Sequence, residues 1–285
     1  PDEVSQKFEK GFAVREFKGP LKTVISLVAI GLSLFHLYTG AFGTIYITFQ
    51  RCVHLGLVMF LIFALYPFSK KGLKRGLSPV DLVFMGLGLA VNLYLILAFK
   101  GMIDRQGMPN NWDLIFGGMM LLLVMEASRR VVGPSIAIVA TIFLLYAYFG
   151  PYMPGMLAHR PFNLSLIISY QYMTTEGVYG IPLGVSATFV YLFILFGAFM
   201  DKSGMGKFFL DLAMSVAGSA AGGPAKVAVI SSGLVGMVSG SSVANVVTTG
   251  SFTIPLMKSI GYKNSFAGAV ESVASTGGMF MPPVM

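Results

Sequence analysis

Six windows in the first two hundred residues are almost wholly apolar: 21–41, 52–68, 80–99, 114–126, 134–149 and 183–200. A helix crosses a hydrocarbon core with roughly 20 such residues, so each window predicts a membrane span. The fourth and fifth are short and need flanking residues such as Ala127 and Tyr148 to complete them. None shows the period-two alternation over about ten residues that a transmembrane β-strand requires. The pattern therefore predicts an all-α membrane protein, a multi-span helical bundle.

Beyond residue 130 the texture changes. Segments 162–180 and 208–219 mix apolar and polar residues at helical spacing, which predicts amphipathic helices at the interface rather than spans. The apolar run 225–238 then covers 14 residues, about 21 Å of helix, too little to cross about 30 Å of hydrocarbon. The run 243–254 is no longer. Two half-length helices joined by Ser239, Gly240, Ser241 and Ser242 predict a re-entrant hairpin that enters the membrane and leaves by the same face. Lys226 before it and Lys258 and Lys263 after it agree with a return to one side. The following segment, 265–285, begins as an amphipathic helix and then meets Ser275, Thr276, Gly277, Gly278, Pro282 and Pro283. Pro-Pro cannot continue a helix interior and Gly-Gly frees the backbone, so a broken helix is predicted.

Composition agrees with a membrane location: 55% of the 285 residues are hydrophobic and only 11% charged, against about one quarter charged in soluble domains. The net charge of +8 comes from basic clusters beside the spans, so it reads as an orientation signal and not as a nucleic-acid surface. Lys7, Lys10, Arg15, Lys18 and Lys22 precede the first span, Lys70, Lys71, Lys74 and Arg75 follow the second, and Arg129 and Arg130 follow the fourth. All three clusters fall on one side if the N-terminus is cytoplasmic, and loops 100–113 and 150–160 then face outward. The first twenty residues are too polar for a cleavable signal peptide, leaving the first span as the targeting element. The single cysteine, Cys52, excludes an intrachain disulfide and a cysteine-based metal cluster.

Non-helical backbone at membrane depth is tolerated only where protein buries it or a cavity hydrates it, so the hairpin tip and the helix break are the candidate site. Glycines there leave carbonyls free to turn inward, and Ser, Thr and Asn add neutral oxygens, a set suited to a weakly held monovalent cation. On a helical return arm Ser241, Asn245 and Thr249 share one face, with Thr248 beside them. Interrupted hydrophobic segments are the sequence mark of a secondary transporter's binding site. The plainer alternative is that these small residues only let helices pack closely; half-length arms, a polar tip and a second break within 45 residues together favour a site. Glu271 either faces a cavity as a functional carboxylate, or pairs with Lys263 or reaches the surface. Asp81 and Glu126 are expected at hydrated span ends, and His36, His54 and His159 lack metal-ligand spacing. Two other functions compete. An intramembrane serine hydrolase needs a base near its serine, but no histidine follows His159. A passive channel needs polarity along a full span or a ring assembled by oligomers, and the sequence shows two local breaks instead.

The stretch "GGPAKVAVISSGLVGMVSGSSVANVVTTGSFTIPLMKSIGY", followed by "FAGAVESVASTGGMFMPPVM", resembles the large membrane subunit of the tripartite ATP-independent periplasmic (TRAP) transporters. "EASRRVVGP" with the four preceding spans resembles a small membrane subunit fused to it, the type that pairs with a TAXI-type solute-binding protein. The resemblance implies no enzyme and no organic cofactor. It implies sodium-coupled import of small organic acids across a bacterial inner membrane, handed over by a periplasmic solute-binding protein, with a transport domain moving elevator-fashion against a scaffold. Residues 1–130 would be the four-span scaffold, 131–222 the first spans and interfacial helices of the large-subunit part, and 223–285 the hairpin and broken helix, with 180–205 linking scaffold to mobile elements. By the same resemblance sodium is held by Ser239, Gly240, Ser241, Asn245, Ser275, Thr276 and Gly278, substrate meets Ser242, Thr249, Gly277 and Pro282, and no other metal is expected. A symmetry-related second hairpin and broken helix would follow Met285, so the chain is expected to be the N-terminal portion of a longer transporter.

Overall fold

The computed structural model describes residues 15, 17, 19–68, 76–105, 108–239 and 242–281. Among them every regular element is helical, as a chain this apolar requires where the only viable spanning forms are helices and closed barrels. Five stretches are long and apolar enough to cross a membrane: Pro20–Phe42, Ile47–Leu65, Pro79–Asp104, Pro134–Tyr152 and Ile181–Met200. The sixth expected span, 114–126, lies inside a 21-residue helix, Asn111–Val131, whose ends carry Asp113, Glu126, Arg129 and Arg130 and so dilute its apolar character.

The described residues fall into two compact units divided between Thr188 and Phe189. That boundary lies within 180–205, the segment read from sequence as a link.

The first unit holds α1 (Pro20–Phe42), α2 (Ile47–Leu65), α3 (Pro79–Asp104), α4 (Asn111–Val131), α5 (Pro134–Phe149), α6 (Leu164–Met173) and the short α7 (Ile181–Val185), which runs into a π-helical turn beginning at Ser186. Proline opens α1, α3 and α5, where its missing N–H belongs to the unpaired first turn. A reciprocal cap starts α4: Asp113 N–H donates to Asn110 Oδ1 and Asn110 N–H to Asp113 Oδ2, both at 2.8 Å. Helices α2 and α3 form the centre of the core, closing over Cys52, Met59, Phe63, Val91 and Leu95. Gly56 lets them approach, since a Cβ there would lie 3.2 Å from the Asn92 Cβ.

Most buried polar side chains described in this core make hydrogen bonds, although Gln50 Oε1, Arg51 Nε and Arg130 Nη2 are buried atoms without one. Tyr172 donates to the Val91 carbonyl at 2.8 Å, Tyr179 to Asn92 Oδ1 at 2.8 Å, and Asn92 Nδ2 to the Gly88 carbonyl at 2.8 Å. One face of α2 receives residues 179–187: Arg51 donates to the Tyr179 carbonyl, Gln50 to the Ala187 carbonyl at 2.7 Å, and His54 lies 3.2 Å from Ser186 Oγ. His36 and His54 meet at 2.9 Å, a paired structural role, and no group of three metal-ligating side chains occurs among the described residues. Tyr172→Phe is expected to lose one buried hydrogen bond and about 1 kcal/mol, read as a lower melting temperature with unchanged helix content.

Asp81 departs from its expected hydrated position. It is fully enclosed between Arg15 and Arg130, each at 2.7 Å, and Arg130 also pairs with Glu126 at 2.8 Å. The Arg130 guanidinium lies 5.0 Å over the Phe63 ring and 5.2 Å over Phe84. A single turn of helix supplies Glu126, Arg129 and Arg130, but Arg15 and Asp81 reach them only through the fold. The network draws the start of α3 and the ends of α2 and α4 to one end of the unit, in keeping with the shared side read from the basic clusters.

In the second unit α8 (Tyr191–Lys202) and α9 (Met205–Ala217) precede a helical hairpin, α10 (Gly223–Ser239) and α11 (Ser242–Ser259), followed by α12 (Asn264–Gly277). The arms are longer than the apolar runs suggest, 17 and 18 residues, or about 25 and 27 Å. Gly223 and Pro224 extend the first backwards, and the second continues through Pro255. They run antiparallel: Ser232 meets Thr249 midway, while Ala228 and Met257 share a small apolar cluster with Ala267 near the open end. The broken helix is present, α12 giving way at Gly278 to a 3-10 turn that ends at Phe280.

Candidate functional site

Three helices of the second unit converge on one buried polar centre. Ser232 comes from α10, Asn245, Thr249 and Thr253 from α11, and Glu271 and Ser275 from α12; all are buried, none more than 3% exposed. The helical period explains the grouping, because 245, 249 and 253 form one i, i+4, i+8 stripe and 271 and 275 another. Glu271 Oε1 accepts from Thr249 at 2.5 Å, Ser275 at 3.0 Å and Ser232 at 3.2 Å, and Oε2 accepts from Thr253. Asn245 Nδ2 donates to the Ser232 carbonyl at 2.7 Å, which ties the two hairpin arms together.

Backbone closeness at the break is set by glycine. A Cβ on Gly236 of α10 would collide with the Gly278 backbone, and one on Gly278 would lie 2.6 Å from Asn245 Nδ2. Side-chain-free positions on both sides are therefore what bring the start of the 3-10 turn against the hairpin.

Of the expected ion-site residues, the structure gathers Asn245, Ser275 and Gly278. Thr276 does not join them: it is exposed and its hydroxyl turns back to the Ser272 carbonyl at 2.8 Å. Neighbouring residues on a helix point about 100° apart, so Ser275 and Thr276 cannot both face the centre. Ser239 ends α10, while Gly240 and Ser241 lie outside the described residues. Among the expected substrate contacts, Thr249 belongs to the polar centre, Ser242 starts α11, Gly277 closes α12 half-buried, and Pro282 lies outside the described residues. Sequence reasoning missed Ser232 and Thr253. Thr253 was within reach as the next step of the 245, 249 stripe; Ser232 faces that stripe only because of the cross-arm register.

A separate apolar cavity of about 220 Å³ lies in the same unit, lined by Gly197, Met205, Phe209, Val235, Val238 and Thr248 among others. Thr248 sits one residue from Thr249, so cavity and polar centre lie on neighbouring faces of the same turn of α11.

Comparison with known proteins places this architecture. The family model described as "Tripartite ATP-independent periplasmic transporter, DctM component" matches residues 119–285, more than half of the chain. A C4-dicarboxylate TRAP transporter large permease protein from Pseudomonas aeruginosa is 37% identical over 91 residues, covering 32% of this chain and 21% of that protein. One of the same description from Rhodobacter capsulatus is 28% identical over 150 residues, covering 47% and 33%. The 2,3-diketo-L-gulonate TRAP transporter large permease protein of Escherichia coli is 33% identical over 91 residues, covering 32% and 20%. The chain thus spans a fifth to a third of the length of these relatives. No solved structure shows significant similarity. A helical membrane fold, a paired hairpin and broken helix, and a match that includes all of both make this chain a member of the DctM family of tripartite ATP-independent periplasmic transporters, a transporter component and not an enzyme.

Proposed function

We propose that this chain is the scaffold and first transport half of a sodium-coupled secondary transporter that imports small organic acids across the inner membrane. In this reading residues 1–130 act as a fused small subunit, a TAXI-type periplasmic solute-binding protein delivers the substrate, and a C-terminal half completes the site. The N-terminus is cytoplasmic, and the hairpin and broken helix travel together elevator-fashion. The C4-dicarboxylate and diketogulonate permeases among the relatives support the carboxylate class.

The observation that carries the reading is the buried centre of oxygen donors where the two antiparallel hairpin arms α10 and α11 meet α12. Oxygen donors that are mostly uncharged, with no cluster of carboxylates among the described residues, suit a monovalent ion better than a divalent one. Asn245 and Ser275 would hold the ion, with carbonyls at the Gly278 break adding to the shell. A coupling ion held there would bind as cargo.

Uptake of candidate organic acids into liposomes by the full-length transporter and its binding protein, with and without an inward sodium gradient, tests this. Asn245→Ala is expected to lower sodium-driven uptake about tenfold, the equivalent of one polar contact of about 1.4 kcal/mol. Uptake indifferent to sodium would refute the coupling.

A further inference from the structure

Glu271 is the one acidic side chain in the polar centre, and nothing in its unit neutralises it. Residues 189–285 contain no arginine or histidine, and their five lysines, Lys202, Lys207, Lys226, Lys258 and Lys263, are all exposed. The carboxylate is fully buried, two turns into α12 and beyond the reach of that helix's positive N-terminal end. Four hydroxyls satisfy its hydrogen-bonding capacity but bring no charge. A buried carboxylate without a counter-charge is among the most unfavourable groups a protein interior can hold.

Two of these hydroxyl protons, on Thr249 and Thr253, have somewhere else to go. Each hydroxyl has one proton and two lone pairs. Thr249 Oγ1 lies 2.8 Å from the Asn245 carbonyl and Thr253 Oγ1 3.0 Å from the Thr249 carbonyl, so both can donate to their own helix and turn lone pairs towards Glu271. Asn245 uses its Nδ2 on the Ser232 carbonyl, and its Oδ1 lies 3.4 Å from Thr249 Oγ1. Carboxylate, amide and hydroxyl oxygens from three helices are then available to one small ion.

We propose that Glu271 is the carboxylate ligand of the cation site, binding one monovalent cation together with Ser232, Asn245, Thr249 and Ser275, so that the ion balances the one acidic group of the centre. This rests on the sodium-coupled reading and adds to it the residue that supplies the charge. A single carboxylate matches a single positive charge; a divalent ion would leave the centre charged and normally draws more carboxylates.

The test uses the purified full-length transporter, comparing thermal unfolding in sodium chloride and in choline chloride, and uptake against sodium concentration. Wild type is expected to melt at a higher temperature in sodium. E271Q, which keeps the shape and hydrogen-bonding reach, is expected to lose that sodium-specific stabilisation while its melting temperature in choline holds or rises, and to raise the half-saturating sodium concentration at least tenfold. E271Q with wild-type sodium stabilisation and half-saturation would overturn the proposal and leave sodium coupling intact. Wild-type uptake that ignores sodium and follows a proton gradient would overturn both. If E271Q does not fold, E271D carries the test: with the charge set back by one methylene, an unchanged half-saturating sodium concentration overturns the proposal.

Discussion

Asp81→Ala is expected to destabilise the first unit by about 3–5 kcal/mol, the usual cost of removing one partner from a buried charge network. The alanine leaves Arg15, 2% exposed at its side chain, and Arg130, fully buried, without the carboxylate that each approaches to 2.7 Å. Arg130 would retain Glu126, and Arg15 its contact with the Ala64 carbonyl at 3.3 Å, neither of which replaces the lost carboxylate. The variant should melt well below wild type in detergent and yield less protein from membranes. Asp81→Asn, which preserves the shape and one acceptor, should lose less. Equal melting of Asp81→Ala and wild type would mean that the network contributes nothing to stability.

Gly236→Ala is the second substitution from which a large effect is expected. The added methyl points into the Gly278 backbone, which has no side chain to swing aside, so the 3-10 turn must move away from α10. Overpacking of this kind costs about 1–3 kcal/mol. The larger consequence is positional, since displacing Gly278 also displaces Asn245, whose amide lies against it, and with it the polar centre. Uptake by the full-length transporter should fall more than tenfold while the protein still inserts. Wild-type uptake by Gly236→Ala would show that close backbone contact at the break is dispensable.

Much of the second unit was legible from the sequence because its signals are local. Short apolar arms, a Gly/Ser tip and a Gly-Gly break each lie within a few residues, and the structure returns a hairpin and a broken helix in those places. Of the stripe read as Ser241, Asn245 and Thr249, the last two lie in the polar centre and Ser241 is outside the described residues, while the cluster continues one turn further to Thr253. Periodicity fixes which residues share a face, not which turn meets a neighbour. Ser232 and Glu271 illustrate the same limit, because their meeting depends on the register between separate helices. Asp81 is the clearest case: its partners lie 66 and 49 positions away, and no spacing rule links them.

The aliphatic helix α5 has no buried residue, with Ile136, Ile142, Phe143 and Leu145 all outward. A surface of that kind suits acyl chains, a solvent that recognises bulk and apolarity but not shape. Selection on such a surface acts on thickness and greasiness alone, so α5 should be the part of this bundle where one aliphatic residue drifts most freely into another.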